Sequence, residues 1–461
     1  MGAMKPALKI LAASGQLGYG IPEDAFRAGV AQQPDVIGAD MGSIDPGPFC
    51  LGSGKVGAGG EALRRDIRMV LEAHQHTGAP LLMGSAGTAG RRPQLDAVVE
   101  VVESVARERG LSFRMAVIGA DIPNEAIHRR IEAGQVRPCG IVPELTSAEV
   151  ERSTGVVAQM GVEPFQRALE MGAEVIIAGR SCDTSMFAAV PRMRGYDPGV
   201  AMHMAKLIEC CSSCADPGGR EAAMGVIGDG WFTVESMDPR QRCTPISVAA
   251  HALYEQPDPF LLDEPGGTID LTDSRYEQID ERRVRVTGSI WRPSDPYYVK
   301  MEGARLTGQR CISLCGIRDP RMIAALDSVQ AETRRIVERT FADLIAPSDF
   351  SLLFRTYGNN AVLGPIEPHL GQVTGHEAFV IIDVVGRTES IAKTVCGVAK
   401  QFFLHLRYPG ILCTSGNVAH PFSPDVMPAG AVYEFNVYHL LPVDDPCELF
   451  PIEMRSVGGA G

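Results

Sequence analysis

Five short apolar segments in the first half of the chain alternate with helix-like sequence. The segments are KILAAS (9–14), DVIGAD (35–40), PLLMGS (80–85), FRMAVIGAD (113–121) and EVIIAGR (174–180). Residues 61–75 and 92–110 lie between them, and the second stretch places Val98, Val102 and Val105 on one helical face. Strands that alternate with helices predict crossover units, and hence a parallel sheet covered by helices on both faces.

The turns after these strands share glycine and small polar or acidic residues. They are SGQLGYG (14–20), GADMGS (38–43), GSAGTAG (84–90), GADIP (119–123) and AGRSCD (178–183). Open parallel sheets bind ligands beyond the carboxyl ends of their strands, and glycine lets a backbone approach a ligand closely. Glycine after a strand is also ordinary turn chemistry, so any single loop fits either role. Five such loops together favour a ligand site.

Nucleotide-binding motifs are incomplete in this chain. Residues 38–55 end in GSGK, but Phe49 and Val56 stand where the phosphate-binding loop needs glycine and a hydroxyl residue. The glycines of residues 15–20 have the wrong spacing for a dinucleotide-binding turn. The sequence therefore predicts neither an ATP site nor a redox cofactor, and no cofactor is evident.

The pattern changes around residues 215–245. WFTVESM (231–237) and RRVRVTGSI (282–290) alternate as half-buried strands, and further strands and helices follow. The predicted fold class is α/β. A parallel-sheet N-terminal domain with helices on both faces (residues 5–219) is followed by a second α/β or α+β domain (residues 220–456).

Charge and composition exclude several classes of protein. A net charge of −13 argues against nucleic-acid binding, and an acid-binding pocket would need local arginines or helix N-termini. No apolar run approaches the roughly 20 residues of a membrane span, and no signal peptide is recognisable. Twelve cysteines in 461 residues predict reduced, packed thiols and a cytoplasmic protein. Cys211 and Cys214 have redox or zinc spacing, but packed thiols are the commoner outcome.

Two short segments carry the best candidates for chemistry. Arg180 at a strand end can clamp a carboxylate or phosphate, although Asp183 can equally be a helix N-cap with Arg180 as its partner. His251 lies one helical turn after Ser247, whose hydroxyl can hold the imidazole for acid–base work. A buried, packed histidine is the alternative.

Several segments together resemble the acyclic terpene utilisation (AtuA-like) family. They are GADMGSIDPGPFCLGSGK, MGSAGTAG, AGRSCDTSMFAAVP, ECCSSCADPGG, RCTPISVAAHALYEQPDP, EPGGTIDLTDSRYE, GIRDP and VDDPCELFPIE. The resemblance spans nearly the whole chain. It implies catabolism of branched acids carried as acyl-CoA thioesters, and a companion subunit of ~100 residues. It supplies no catalytic residues, and cysteines at positions 50, 182, 211 and 214 depart from its usual pattern.

These features predict a lyase of the hydratase or dehydratase type that acts on a small carboxylic acid or acyl-CoA thioester. An isomerase of the same substrates, a ligase-associated acyl-CoA enzyme and a non-catalytic binding or scaffold subunit are the alternatives, and a homo-oligomer is expected. The predicted proton-transfer residues are His251, Asp183, Asp45 and Asp40. The predicted substrate-binding residues are Arg180, Ser43, Lys55, Ser85, Gly87, Thr88, Ser14 and Glu264, with the amides of residues 85–87 placed to hold an oxyanion. Mg²⁺ or Mn²⁺ on Asp40, Asp45 or Asp121 is a further alternative.

Overall fold

The computed structural model describes residues 5–254, 257–370, 372 and 375–458, and the chain divides into two compact units. The first unit takes in the chain up to Arg305 and again from Phe435, and the second unit is Leu306–Glu434. Residues 219 and 220, where the sequence analysis divides the chain, lie inside the first unit. The strand that begins at Ala223 pairs there with the first strand of the chain.

The helices and strands alternate along the first half of the chain. The helices are α1 Glu23–Ala31, α2 Phe49–Ser53, α3 Gly60–Thr77, α4 Arg92–Arg109, α5 Asn124–Glu132, α6 Ser147–Arg152, α7 Glu163–Glu170, α8 Ser185–Met193, α9 Pro198–Ile208, α10 Pro245–Ala252, α11 Pro320–Ala324, α12 Leu326–Phe341 and α13 Glu389–His405. Single 3-10 turns lie at Cys211–Cys214, Pro347–Asp349 and Gly364–Ile366. Among these helices, none combines the length and the apolar composition that a bilayer-spanning segment requires.

The strands are of very unequal length. They are β1 Leu8–Ser14, β2 Val36–Asp40, β3 Leu81–Gly84, β4 Phe113–Ile118, β5 Arg137–Pro138, β6 Ser153–Gln159, β7 Val175–Ala178, β8 Ala215–Asp216, β9 Ala223–Gly228, β10 Trp231–Ser236, β11 Arg242–Cys243, β12 Leu261–Glu264, β13 Gly267–Asp270, β14 Arg275–Gln278, β15 Val284–Thr287, β16 Ile290–Pro293, β17 Tyr297–Ile317, β18 Phe350–Tyr357, β19 Ala378–Gly386, β20 Val418–Ala419, β21 Met427–Val443 and β22 Ile452–Val457. Strands β17 and β21 both continue from one unit into the other.

A mixed sheet forms the centre of the first unit. Its described strands have the order β14-β15-β10-β9-β1-β2-β3-β7-β4-β22. The five strands from β1 to β4 in that order are parallel, and the flanking strands pair antiparallel to them. The five apolar segments of the sequence are these parallel strands, so the prediction of a parallel sheet is confirmed.

Helices cover both faces of this sheet. Successive residues of a strand point to opposite faces. Ile37 and Ala39 of β2 belong to the core that α1, α3 and α4 complete on one side. Gly38 between them faces α8, where a Cβ atom would lie 2.5 Å from the ring of Phe187. Glycine at position 38 therefore lets α8 pack directly on the sheet.

The second unit has an α+β arrangement of its own. Strand β19 pairs antiparallel with β18 on one side and with the second half of β17 on the other. Val380, Ile382 and Val384 alternate along β19 and enter one core with α12 and α13. The predicted second region of mixed strands and helices is thus present, although its first strands belong to the sheet of the first unit.

Candidate functional site

The carboxyl ends of β2, β3 and β7 lie side by side in the first unit. Asp40 is the last residue of β2, Ser85 follows β3, and Arg180 lies two residues beyond β7. The Ser85 amide donates hydrogen bonds to the carbonyl of Gly179 (3.0 Å) and to Oγ of Ser181 (3.1 Å). The turns after these strands therefore form one edge at which their side chains meet.

Arg180 is buried, with 3% of its surface exposed, and the protein itself occupies its guanidinium. Its Nε donates to Oε2 of Glu302 at 2.7 Å, and Nη1 donates to Oγ of Ser85 at 3.1 Å. Nη1 also lies 3.5 Å from Oδ1 of Asp183. Burial lowers the pKa of Arg180, but the charges of Glu302 and Asp183 outweigh it and raise that pKa. The fork that the sequence assigns to a substrate acid is filled by Glu302.

Glu302 is the fully buried counter-charge for two cations. Lys300 lies two residues earlier on β17, so both side chains are on the same face of the strand, and Nζ of Lys300 is 2.9 Å from Oε1 of Glu302. Burial raises the pKa of Glu302, but Arg180 and Lys300 outweigh it and lower the value to about 2. Glu302 is consequently ionised at neutral pH.

Three carboxyl oxygens beside this network have no hydrogen-bond donor in the described part of the chain. They are Oδ1 of Asp40, Oδ1 of Asp183 and Oε2 of Glu209, and all three are buried. Oδ2 of Asp40 accepts from the amide of Gly42 at 3.2 Å. Buried polar atoms usually have a partner, so three orphaned acceptors in one place indicate a ligand or shared protons.

The pKa values of these carboxyls differ in a useful way. Burial and then the charge of Asp183 raise the pKa of Asp40 well above its usual value. Burial raises the pKa of Glu209 to about 8 in spite of Lys206. Burial also raises the pKa of Asp183, but Arg180 and Lys206 act against it, and its side chain is 35% exposed. Glu209 therefore holds a proton near neutral pH, and Asp183 is the most exposed of the three carboxyls.

Lys206 and His251 complete this side of the cluster. Nζ of Lys206 lies 2.5 Å from Oε1 of Glu209, one turn along the end of α9. Burial and then the charge of Lys206 lower the pKa of His251 to about 4. His251 stacks on Tyr254 with ring centroids 5.5 Å apart, and its ring nitrogens have no hydrogen-bond partner among the described residues. The imidazole is therefore neutral at pH 7.

Ser247 does not hold the His251 ring as the sequence analysis expects. Thr244 caps α10 and Pro245 begins it, as the sequence suggests, and the Thr244 side chain accepts from the Ser247 amide. The hydroxyl oxygen of Ser247 accepts a hydrogen bond from the Thr244 amide, and the hydroxyl donates to the carbonyl of Cys214 at 2.8 Å. That serine is part of the helix cap.

Glu264 receives two donors from the turn before α8. Oε2 of Glu264 accepts from Sγ of Cys182 at 2.8 Å and from Oγ1 of Thr184 at 2.7 Å. Burial raises the pKa of Glu264 and, more strongly, that of Cys182. Thr184 occupies the N-cap position of α8, so Asp183 is not the cap that the alternative interpretation makes it.

The loop after β2 places its polar residues near the surface. Oγ of Ser43 donates to Oδ2 of Asp45 at 2.6 Å, and Asp45 is exposed. After burial, Arg180 and Lys206, the charge of Asp45 is the next influence on the pKa of Asp183. Lys55 is exposed, and its carbonyl accepts a hydrogen bond from Nε2 of Gln94 at 2.8 Å.

The loop after β3 carries strained backbone instead of free amides. Ser85 and Thr88 have φ angles of 49° and 111°, which non-glycine residues rarely adopt, and Gly87 between them has φ 72°. The amides of Ser85 and Ala86 already donate to the carbonyls of Gly179 and Ala178, each at 3.0 Å. Two of the three amides expected to hold an oxyanion are therefore occupied. Such strain is concentrated at functional sites.

The contacts of the remaining predicted residues, Ser14 and Asp121, are with residues outside the carboxyl cluster. Ser14 ends β1 and accepts from the amide of Gln16 at 3.1 Å. Asp121 follows β4, accepts from the amide of Arg92 at 2.6 Å and lies 3.7 Å from Nε of Arg91. Within the described ranges, no three His, Cys, Asp or Glu side chains are arranged to hold a metal ion. A divalent metal on the predicted aspartates stays a prediction.

The cysteines are free thiols. Cys211 and Cys214 are buried in their 3-10 turn, and all twelve cysteines of the chain lie unpaired in the structure. Burial raises the pKa of Cys211 to about 12, which makes it a poor nucleophile. These features fit packed thiols.

The sequence analysis does not identify Lys206, Glu209, Lys300 or Glu302 as site residues. Lys300 and Glu302 stand on one face of an otherwise apolar strand segment, YYVKMEGA, and this alternation is the pattern that marks them. Lys206 and Glu209 are three residues apart at the end of a buried helix. Charges in such apolar surroundings require partners, so each pair signals a network.

Comparison with known proteins identifies the family. The family model for "Acyclic terpene utilisation family protein AtuA" matches residues 65–406, which is most of the chain. No curated protein and no solved structure gives a significant match. The chain belongs to the acyclic terpene utilisation family AtuA.

Proposed function

We propose that the chain is a lyase of the hydratase or dehydratase type that acts on an acyl thioester. The observation that carries the proposal is the set of three buried carboxyl oxygens, on Asp40, Asp183 and Glu209, that lack a hydrogen-bond donor in the described part of the chain. Carboxyls whose surroundings push their pKa values apart can act as acid and base in one reaction. The cluster lies at the strand ends, where parallel sheets bind their ligands.

The roles follow from the protonation of each group. In the dehydration direction, the Asp183 carboxylate removes the proton from the carbon next to the thioester carbonyl. The bond between the next carbon and its hydroxyl oxygen breaks while Glu209 gives its proton to that hydroxyl, and water leaves as the double bond forms. Glu209 becomes a carboxylate and Asp183 a carboxylic acid, and one proton returns to Glu209 before the next turnover. Hydration is the same sequence reversed.

Charge favours a thioester over a free acid as the reacting group. Arg180 and Lys300 are paired with Glu302, and the charge of Lys206 acts on the Asp183 carboxylate. The Asp183 carboxylate would repel a substrate carboxylate, and burying an unpaired charge is costly. An uncharged thioester carbonyl avoids that cost. The terpene description of the family supports a branched acyl chain on that thioester.

The test is turnover of branched 3-hydroxyacyl-CoA and 2-enoyl-CoA thioesters, followed by the absorbance of the conjugated double bond. Glu209→Gln removes the acid and should lower turnover by about a hundredfold or more, the usual contribution of a general acid. The matched control is Glu235→Gln, because Glu235, on β10, is a partly buried carboxyl outside the cluster whose pKa burial also raises. Wild-type turnover by the Glu209 variant, or no turnover of any thioester by the wild type, would count against the proposal.

The small companion subunit implied by the resemblance and the expected homo-oligomer remain part of this proposal. The assay is therefore run on the chain alone and with a companion of that size. A scaffold subunit would change only the stability of its companion. An enzyme would turn over the thioester, either alone or once the companion is added.

A further inference from the structure

Apart from the carboxyl cluster, the first unit has a cavity between the start of α5 and the chain segment that leads into β22. Its volume is about 520 Å³, within the roughly 300–1,000 Å³ of small-molecule sites. Its apolar wall consists of Ile122, Ala126, Leu441, Leu449 and Pro451. This α5 pocket is the cavity defined by those residues, and it shares none of them with the carboxyl cluster.

Two neighbouring arginines line the α5 pocket in different ways. Arg130 is fixed in the wall, because its Nη2 donates to Oε1 of Glu448 at 2.6 Å and its Nη1 to Oε1 of Gln135 at 3.1 Å. Arg129 is exposed and also lines the pocket, and its guanidinium makes no ion pair or hydrogen bond within the described part of the chain. The positive charge of Arg129 is thus uncompensated at the cavity.

The acidic residues of the pocket do not cancel that charge. Glu448 is paired with Arg130. Asp121 accepts from the Arg92 amide at 2.6 Å and lies 3.7 Å from Nε of Arg91. The α5 pocket therefore combines an apolar wall with an arginine that has no partner among the residues that the structure describes.

We propose that the α5 pocket binds an aliphatic molecule with a single anionic end. Its hydrocarbon body would pack on Ala126, Leu441 and the other wall residues, and its carboxylate would accept two parallel hydrogen bonds from the Arg129 fork. Apolar lining with a few placed polar groups is the usual composition of a small-molecule site. The proposal is independent of the lyase assignment, since it concerns binding at residues that take no part in the reaction.

Isothermal titration of the full chain with octanoate tests the proposal, with octanamide and acetate as comparison ligands. Octanoate should bind, and the two comparison ligands should bind at least about tenfold more weakly, because each lacks either the charge or the chain. Arg129→Gln should weaken octanoate binding by about tenfold or more. Arg129 is exposed, so this variant should fold normally. Arg107→Gln is the matched control, because Arg107 is an exposed arginine at the end of α4 whose guanidinium makes no ion pair or hydrogen bond among the described residues.

A second variant tests the apolar wall. Ala126→Trp fills the cavity and should abolish octanoate binding while the melting temperature confirms folding. Absence of octanoate binding by the wild type would overturn the proposal, as would equal binding of octanamide. Unchanged octanoate affinity in both the Arg129 and the Ala126 variants would overturn it as well. Because these are binding measurements, they are decided separately from turnover of thioesters.

Discussion

Replacing Glu302 by glutamine should destabilise the first unit by several kcal/mol. The pKa of Glu302 lies at about 2 against a usual value of 4.5, and 2.5 pKa units correspond to about 3 kcal/mol of favourable interaction with its surroundings. The substitution keeps the shape but leaves Arg180 and Lys300 without their counter-charge. Removing one partner of a buried ion pair costs about 3–5 kcal/mol. The two routes agree, so the expected loss is about 3–5 kcal/mol.

Tryptophan fluorescence during urea unfolding measures this loss in the right place. The chain has two tryptophans, Trp231 and Trp291, and both lie in the first unit. The fluorescence therefore follows that unit even if the second unfolds separately, which a whole-chain signal would blur. Glu235→Gln is again the control, since burial outweighs the charges of Arg282 and Arg283 and leaves the pKa of Glu235 raised, so neutralising it should cost little stability.

The dependence on pH gives a second, independent reading. The folded pKa of Glu302 is below the unfolded value, so the unfolded chain takes up the proton first as pH falls. The stabilisation is complete above a pH of about 4.5 and is lost as the pH falls toward about 2. Glu302→Gln should lack this part of the acid destabilisation. An unfolding free energy within about 1 kcal/mol of wild type, together with an unchanged acid slope, would refute the reasoning.

Two further substitutions test other parts of the first unit. Asp66→Asn should cost about 2–4 kcal/mol in a thermal or urea melt. The buried Asp66 carboxylate accepts hydrogen bonds from three backbone amides of the 18–21 loop at 2.9–3.0 Å, and it uses both of its oxygens. Asparagine keeps only one of these oxygens, and its NH2 group cannot accept a hydrogen bond. The control Asp96→Asn, on the exposed side of α4, should leave the stability nearly unchanged. An Asp66 variant with unchanged stability would contradict this reasoning. His251→Asn tests the prediction from the sequence that His251 is also a proton-transfer residue, for example in returning the proton to Glu209. With that role, thioester turnover should fall by about a hundredfold with little change in melting temperature, because the ring makes no hydrogen bond among the described residues. The reverse pattern, lost stability with preserved turnover per folded molecule, would make His251 a packing residue.

The parallel strands and their helices could be predicted because their patterns are local. A buried strand such as Val36–Asp40 is a continuous apolar run, and a helix such as Arg92–Arg109 repeats its apolar residues every three or four positions. The domain boundary depends on something else. Ala223–Gly228 pairs with Leu8–Ser14 across more than half of the first unit's chain, and an antiparallel partner of this kind leaves no mark in either segment.

The candidate site was predictable only where it follows directly from a strand end. Asp40, Arg180 and Asp183 stand immediately after parallel strands, and topology alone brings such positions to one edge. Glu302 reaches the same place from a strand in a different sheet, and Glu209 reaches it from the end of α9. Their approach depends on tertiary packing. For the same reason the sequence could propose Arg180 as a substrate clamp but could not reveal that Glu302 already fills its fork.

The second unit lies between two parts of the first in the sequence, and this position affects the order in which the two units can fold during synthesis. All residues of Leu306–Glu434 leave the ribosome before Ile452–Val457, the strand that pairs with Phe113–Ile118. Domains generally fold as units during synthesis. The second unit therefore has its complete sequence while one border of the first unit's main sheet still exposes unpaired amides and carbonyls. An open strand border invites pairing with other chains, so the nascent protein is most prone to aggregate in the interval before its last strand arrives.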